Sequence, residues 1–445
     1  SSTGPSKSYA YRPVLRHCDN ALFRLILLVC FWACSSLGVK AQAPSHVPVF
    51  ELDPAAERQS LVGHAEFLRA DRPMTWQQVL GGEAGPFEPV VDTNLGTDDR
   101  DRDHWVRLCV RNPAPDALYQ VVELHRAINV TAGDVYLFDQ KKILKRWSVR
   151  DVEQGGAVTL GTPQVAVSVL FPASSSRTLL FRLHSPVSRI RVQPRLWNAD
   201  AFFDHNQEKQ AATWAFYGLM IVMGLYNLVL FANLRDRVYL WYVGFVFSGL
   251  LMNSLRLGDA LLYLPLEVCL VMWAPTPFAV VSTSVLFTRR LLDCGRYSTR
   301  LDSGLLVFAA CVAIVGGLAS VVPYQVGDIA LRSIGIPVIF CLLYPAYRAV
   351  RIGVPSARLF LGTFAILVAG VSIRVLCGIN LLPTNLFTTN ASALGMAIQV
   401  VLFAVALARR YTQLQAEMRE QGDMLAETQT QRLAAQAETL AAQEK

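Results

Sequence analysis

Two different spacings of apolar residues divide the chain. From about residue 44 to residue 200, apolar and polar positions alternate over short stretches such as residues 105–111 and 177–184. Clusters of turn-forming residues separate these stretches, as at residues 112–116. Alternation with a period of two places every second side chain on the same face of a strand. Short alternating strands without a long helical pattern predict an all-β sandwich or jelly roll at residues 44–200.

Seven long apolar stretches follow a predicted linker at residues 201–210. Each is close to the roughly 20 residues that a helix needs to cross a hydrocarbon layer about 30 Å thick. A backbone exposed to lipid must satisfy its own hydrogen bonds, so every stretch is predicted to be helical. The predicted spans, which together make a seven-helix transmembrane domain at residues 211–408, are 211–234, 238–255, 268–288, 303–322, 329–347, 359–377 and 386–408. Four prolines within the spans predict kinks: Pro275, Pro277, Pro337 and Pro345.

The beginning of the chain has the pattern of a secretory signal peptide. Three arginines precede an apolar run at residues 25–32, and small residues follow it. An Ala-Gln-Ala sequence ends at Ala43 and offers the small side chains that a signal peptidase requires. We therefore predict that residues 1–43 are a leader, cleaved after Ala43. An uncleaved eighth helix is the alternative, although the run is short for a span.

The last 35 residues have the pattern of an amphipathic helix. Residues 411–445 contain no proline and are rich in Ala, Gln, Glu and Leu. Their apolar positions recur in steps typical of a helix with one buried side: Leu414, Met418, Leu425, Leu433, Ala437 and Leu440. The step from Leu425 to Leu433 departs from a strict heptad. Residues 409–445 are therefore predicted to form a cytoplasmic coiled coil that pairs two chains as a homodimer, with a lone solvated helix as the alternative.

The composition agrees with a multi-domain membrane protein. Of 445 residues, 53% are hydrophobic and 17% are charged, whereas soluble domains carry about 25% charged residues. The net charge of +7 and the pI near 9.0 raise the question of nucleic-acid binding. The excess arginines lie between the apolar stretches, and no Lys/Arg-rich run is interleaved with aromatic residues. The pattern excludes a nucleic-acid partner and indicates orientation in a lipid bilayer.

The arginines also predict which way the helices run. The loops after the first, third, fifth and seventh spans hold most of them: Arg235, Arg237, Arg289, Arg290, Arg296, Arg300, Arg348, Arg351, Arg358, Arg409 and Arg410. The loops after the second, fourth and sixth spans hold only Arg256. The positive-inside rule assigns the first set to the cytoplasm. The β domain is then periplasmic in a multi-pass protein of a bacterial inner membrane, in agreement with the leader.

Candidate chemistry is sparse. No G-x-S-x-G or H-E-x-x-H motif is present, and no histidines have the spacing of a metal pair. The sequence predicts no cofactor, no metal and no catalytic residue in the visible chain. Trp105, Trp147 and Trp197 are candidate ligand-binding residues, because tryptophans can form a stacking platform for a sugar ring. Packing in the core of the sandwich is the alternative for the same three residues.

A set of charged residues interrupts the outer ends of the spans. They are Arg256, Arg332 and Arg374, with Asp259, Glu267 and Asp328 on the same side. One interpretation is snorkelling to lipid headgroups or pairing with one another. The other is an outward-facing polar cavity that couples the β domain, or an anionic ligand, to the helices.

Several motifs together resemble one bacterial family. The spacing G-x-x-x-x-x-G-x-Y-N at residues 218–227, followed by the sequence at 235–242, resembles the opening of the bacterial seven-transmembrane receptors with diverse intracellular signalling modules (the 7TMR-DISM family). Residues 105–108 and 134–138 resemble the type-2 extracellular jelly-roll domain of that family. The resemblance covers about residues 50–440.

The resemblance implies a sensor. Its outer domain is expected to bind a carbohydrate-like or other small molecule in the periplasm, and the helices to relay the signal to a cytoplasmic effector such as a histidine kinase or a diguanylate cyclase. No histidine follows His205 and no G-G-D-E-F motif is present, so the effector is expected to be missing from this sequence, on another chain, or never present. A transporter or channel with an accessory periplasmic domain is the alternative, although seven spans give no evident two-fold repeat.

Overall fold

The computed structural model describes residues 49–90, 102–125, 132–140, 142–148, 160, 162–184, 192–322, 324–378, 381–382 and 386–443. The predicted leader at 1–43 lies outside these residues. The strands are β1 (Phe50–Glu51), β2 (Arg58–Ser60), β3 (Ala65–Arg69), β4 (Glu88–Pro89), β5 (Asp103–Arg111), β6 (Leu118–His125), β7 (Ala132–Asp139), β8 (Lys142–Ser148), β9 (Val165–Phe171), β10 (Ser176–His184) and β11 (Gln193–Asn198). The helices are α1 (Trp76–Leu80), α2 (Ala199–Leu234), α3 (Arg237–Leu257), α4 (Ala260–Tyr263), α5 (Leu266–Trp273), α6 (Pro275–Leu291), α7 (Cys294–Tyr297), α8 (Thr299–Leu318), α9 (Tyr324–Ile352), α10 (Pro355–Gly378) and α11 (Leu386–Gln443).

The chain forms two compact units. The smaller includes Gly362–Gln399, and the larger includes the described residues up to Leu361 and from Val400 onwards. In the smaller unit the backbones of α10 and α11 approach closely at Gly370. A Cβ atom at this position would lie 2.5 Å from the carbonyl oxygen of Ala391, so only glycine permits the contact. The β domain and the helices from α2 to α9 belong to the larger unit.

Two sheets form the β domain and share one core. Sheet A has the strand order β4-β3-β5-β10-β7-β8, with β1 paired in parallel to β5, and sheet B has the order β2-β11-β6-β9. Leu108 and Phe181 of sheet A and Val122 and Leu196 of sheet B are all fully buried in the same cluster. On each strand, every second side chain points into this shared core. The alternation of apolar and polar residues in the sequence therefore predicts the strands correctly.

The second face of sheet A is also buried, which the alternation does not predict. Trp105 points away from the shared core and is nevertheless 0% exposed. The segment around α1 crosses this face, and its Met74 and Val79 pack with Trp105 and Tyr136 in a separate cluster. The burial comes from a segment about 30 residues earlier in the chain, so the local pattern of β5 holds no signal for it.

The first long helix begins earlier than the sequence predicts. Helix α2 begins at Ala199, so residues 201–210, predicted to be a linker, are helical and continuous with the first span. The reason is local, because the Asn198 side chain accepts a hydrogen bond from the backbone N–H of Asp200 and caps the helix. The β domain therefore leads into the helices without an intervening loop.

The predicted third span is broken. Among the described residues, six helices are long and apolar enough to cross a membrane, or seven if α5 and α6 are counted as one span bent by 50°. The break falls at Ala274, directly before Pro275 and three residues before Pro277. Proline removes a backbone N–H and clashes with the preceding turn, which explains the bend. Pro337 and Pro345 stay within α9.

Helix α6 packs between α3 and α8. A Cβ atom at Gly316 of α8 would lie 2.6 Å from the Cβ atom of Phe278, so glycine is required for the two helices to approach this closely. The Ser282 hydroxyl donates to the carbonyl of Ala309 at 2.9 Å across the same interface. Small residues and interhelical hydrogen bonds are typical of contacts between apolar helices.

We predict that Asn112→Ala destabilises the β domain by about 2 kcal/mol. The buried Asn112 amide donates to the carbonyls of Asp116 at 2.8 Å and of Phe171 and Pro172 at 3.1 Å, which joins two turns. Alanine leaves these acceptors without the donor. Chemical unfolding of the detergent-solubilised chain, followed by proteolysis of the β domain, measures the change. Gln77→Ala, at an exposed position of α1, is the control, and an equal loss in both variants would contradict the assignment.

Candidate functional site

The junction between sheet B and α2 is the part of the molecule where the β domain meets the long helices. Strand β11 ends at Asn198 and α2 begins at the next residue. Asp200 lies in the first turn, where a carboxylate interacts favourably with the helix dipole. Cap and dipole both stabilise the start of the helix at this point. The direction of α2 is therefore fixed by the direction of β11.

Trp197 attaches the first turns of α2 to the outer face of sheet B. Its indole N–H donates to the Glu123 carboxylate on β6 at 2.8 Å. Its ring stacks on His205 of α2 with 4.9 Å between ring centroids, and the edge of Phe202 contacts it at 6.2 Å. The Arg58 guanidinium lies 5.4 Å from the centroid of the same ring. One side chain thus connects β2, β6, β11 and α2.

Charged and polar groups continue from this junction towards the helices. Lys209 of α2 lies within electrostatic range of Glu123 on the β domain and of Asp259 in the turn after α3. Asp259 accepts a hydrogen bond of 2.7 Å from the hydroxyl of Tyr217, two turns further along α2. The start of α2 therefore has an acidic neighbour in the β domain and another at the end of α3. We call this end of the helices the β-domain side.

At the opposite end, an aromatic cluster connects α3 and α6 to α11. We call the following residues the far-side aromatic cluster: Tyr242, Phe245, Phe287, Phe360 and Phe403. The Phe403 ring lies 5.0 Å from Phe287 and 5.5 Å from Phe360, centroid to centroid. The Tyr242 hydroxyl donates to the carbonyl of Val400 at 2.9 Å. Helix α11 then continues to Gln443, so the cluster contacts the helix that leads into the predicted coil.

A second polar site lies on the outer face of sheet A. We call its members the sheet A ion network: Asp103, Asp134, Arg146, Arg182 and His184. Arg182 contacts Asp103 at 2.9 Å and Asp134 at 3.5 Å, and Arg146 contacts Asp134 at 2.8 Å. Both carboxylates are buried, whereas the Arg146 side chain is 62% exposed. The network therefore exposes Arg146, and to a lesser extent Arg182, above two buried carboxylates that hold them in place.

Asp103 is held in its charged form. Burial alone raises the pKa of this carboxyl, but the hydrogen bond with His184 and the charge of Arg182 together outweigh burial. The pKa consequently lies below its ordinary value of 3.8. His184 Nδ1 lies 3.3 Å from Asp103 Oδ1, on the side opposite the Arg182 contact.

The three tryptophans predicted as a sugar platform lie in different places. Trp105 is buried under the α1 segment, and Trp147 packs against the shared core with Lys145 4.9 Å from its ring. Trp197 lies at the junction with α2. The three rings do not form one surface, because β5, β8 and β11 direct them to three different clusters. The alternative interpretation, packing, describes Trp105 best.

The predicted coupling residues are also distributed. Asp259 bonds to Tyr217, Glu267 lies in the first turn of α5, and Arg332 lies on α9. Arg256 lines a cavity between α3 and the break before α6. The side chains of Arg374 and Asp328 lie outside the described residues. Of the six, Asp259 is the one that belongs to the junction.

The sequence does not single out Glu123, His205 or the members of the sheet A ion network. Glu123 and Asp103 occupy polar positions of alternating strands, which normally face solvent. Their burial depends on α2 for Glu123 and on neighbouring strands for Asp103. The one available signal is that arginine and histidine occur close together at two strand ends, at residues 102–104, where Asp103 lies between them, and at residues 182–184.

The fold and the junction define a class of protein: a multi-pass membrane protein whose first helix is continuous with a folded β domain. Comparison with known families agrees. Residues 209–410 match the family described as 7TM diverse intracellular signalling, and residues 63–198 match the one described as 7TMR-DISM extracellular 2. The chain belongs to the 7TMR-DISM family and is a membrane receptor with an extracellular sensor domain. No curated protein matches the chain.

We predict that Asp103→Asn lowers the stability of the β domain at pH 7 by about 2 kcal/mol. A carboxyl whose folded pKa is depressed contributes stability above its unfolded pKa, and this contribution is lost as the pH falls through the folded value. The wild-type β domain therefore loses stability as the pH falls below about 4. The Asp103→Asn variant has no carboxyl at this position, so its stability falls less over the same pH range. Unfolding midpoints of the solubilised chain between pH 7 and pH 3 measure both effects.

Asp71→Asn is the matched control, because Asp71 pairs with Arg102 at an exposed position where an ion pair contributes little. If Asp103→Asn kept the full acid sensitivity of wild type, the assignment of that sensitivity to Asp103 would be wrong.

Proposed function

We propose that this receptor binds a carbohydrate-like or other small polar molecule on its jelly-roll domain in the periplasm. The helices relay binding across the inner membrane to a cytoplasmic effector such as a histidine kinase or a diguanylate cyclase. The observation that carries the proposal is the continuity of β11 with α2, together with the contacts of Trp197 at that point. A domain joined in this way displaces the first span whenever its own strand moves.

The sheet A ion network is the proposed ligand site. Sugars are recognised by planar polar side chains that hydrogen-bond their hydroxyls. The exposed Arg146 guanidinium, held in place by the buried Asp134 carboxylate, provides such a group. The Arg146 guanidinium lies 5.7 Å from the ring centroid of Tyr136, which adds an aromatic neighbour. Because the carboxylates are already oriented by Arg182, little ordering is required when a ligand binds.

The relay follows from packing. The two sheets share one close-packed core, and such interiors transmit strain, so a change at sheet A reaches β11 of sheet B. Helix α2 carries it to α3, and the far-side aromatic cluster carries it from α3 and α6 to α11. A ligand can shift this equilibrium only by its differential affinity for the two arrangements, typically about 1–3 kcal/mol.

The orientation and the dimer complete the proposal. The leader pattern and the distribution of arginines support a periplasmic β domain and a cytoplasmic tail. Helix α11 runs without interruption from Leu386 to Gln443. This length supports a coil that leaves the membrane and pairs two chains. Pairing of the coils would present two effectors to each other.

A fusion of Lys445 to a histidine kinase reporter tests the function. We expect that at least one sugar in a panel of mono- and disaccharides changes kinase output in cells, and that deletion of residues 49–198 abolishes the response. The reporter requires cytoplasmic ATP, so any output also requires a cytoplasmic tail. A sugar response that survives the deletion would falsify sensing by the β domain.

We predict that Glu123→Gln changes the basal output of this fusion about fivefold or more, equivalent to about 1 kcal/mol. The variant keeps a hydrogen-bond acceptor for Trp197 but removes the charge that faces Lys209. Glu208→Gln, at an exposed position of α2, is the matched control and is expected to leave output unchanged. Equal outputs of wild type and Glu123→Gln, at equal expression, would exclude a role of the junction in the relay.

A further inference from the structure

A cavity lies on the β-domain side of the helices, where α5 and α6 are broken. Its walls come from the end of α3, the break itself and the beginning of α9. Most of the lining is apolar, including Leu255, Trp273, Phe278 and Leu331. Its volume is about 100 Å³, which is too small to enclose a whole drug-sized molecule and leaves room for one slender apolar group.

The break gives the cavity polar atoms as well. Pro275 and Pro277 have no N–H to offer the carbonyls four residues earlier, those of Val271 and Trp273. The Thr276 hydroxyl, which also lines the cavity, donates to the carbonyl of Met272. An interrupted helix within an apolar environment is tolerated where the backbone lines a cavity, so the break and the cavity belong together.

The cavity also contains one cation. Arg256, an exposed residue in the last turn of α3, is part of its lining. In the part of the chain that the structure describes, no carboxylate lies within 4.0 Å of its guanidinium. A guanidinium exposed at the end of an apolar helix can make a charge-assisted contact with an anion. Its planar fork suits a carboxylate or a phosphate.

We propose that this cavity binds a single-chain anionic amphiphile, with its carboxylate or phosphate on Arg256 and its apolar chain against Leu255, Phe278 and Leu331. A carboxylate or phosphate suits the Arg256 guanidinium, and an apolar chain suits the rest of the lining. The small volume admits part of one chain and not the two chains of a bilayer lipid. This site is separate from the sheet A ion network and does not depend on a sugar ligand.

Binding of the amphiphile in the cavity would change the same signal that the β domain sends to the cytoplasmic effector. Helices α3 and α6 form its walls, and Phe245 near the middle of α3 and Phe287 near the end of α6 both contact Phe403 in the far-side aromatic cluster. An amphiphile between them opposes further bending at Ala274. The receptor would then have two inputs, one from the β domain and one from the membrane surface.

Binding of radiolabelled dodecanoate to the full chain in phosphatidylcholine nanodiscs tests the proposal. We expect saturable binding, competition by dodecyl phosphate, and no competition by dodecanol or dodecyltrimethylammonium. Arg256→Gln is expected to weaken binding about tenfold or more, because it removes a charge-assisted bidentate contact. Arg296→Gln, at an exposed arginine of α7, is the matched control and is expected to bind as wild type does.

A second pair of variants tests the cavity itself. Leu331→Trp fills the space and is expected to abolish binding, whereas Leu318→Trp, at an exposed position of α8, is expected to leave it intact. Competition by dodecanol equal to that by dodecyl phosphate, or unchanged binding in both Arg256→Gln and Leu331→Trp, would overturn the proposal. Loss of dodecanoate binding in nanodiscs that contain phosphatidylglycerol would assign the site to a bilayer lipid and overturn the single-chain occupant.

Discussion

The fixed connection between a strand and a helix is the constraint on which the rest of this receptor depends. At Asn198 a hydrogen-bonded strand becomes a capped helix without one residue of loop. Trp197 then holds the helix against the sheet through Glu123 and His205. A flexible linker at this point would let the β domain move without the helix. With the linker absent, a movement of β11 is also a movement of α2.

The helices combine stiff contacts with one deformable place. Close backbone approach at Gly316 and the hydrogen bond of Ser282 hold α6 firmly against α8. At the start of α6, Pro275 and Pro277 break the predicted span, so that α5 and α6 are bent by 50° relative to each other. Signals in close-packed proteins travel through elements with two arrangements rather than through gradual deformation. The break at Ala274 is the place in the described helices where such an element is built into the backbone.

Parts of the architecture were predictable from local spacing, and parts of the site were not. The strands at 103–111, 118–125 and 176–184 and the long apolar helices follow directly from periods of two and from length. The three tryptophans do not share one surface, because each ring is directed by its own strand into a different cluster. In the sequence, Glu123 and Asp103 occupy positions that normally face solvent. In the structure, α2 covers Glu123 and neighbouring strands cover Asp103.

By itself, the sequence determined the order of parts: a β domain, a set of apolar helices and a polar amphipathic tail. These properties depend on residue spacing and transfer free energy, which act within a few residues of each position. Only the tertiary structure decided that Trp105 is covered on its outer face, that residues 201–210 continue a helix, and that Arg256 lines a cavity. The first and third depend on segments distant in the chain. The second combines the local cap at Asn198 with the stacking of Trp197 on His205, which only the folded junction shows.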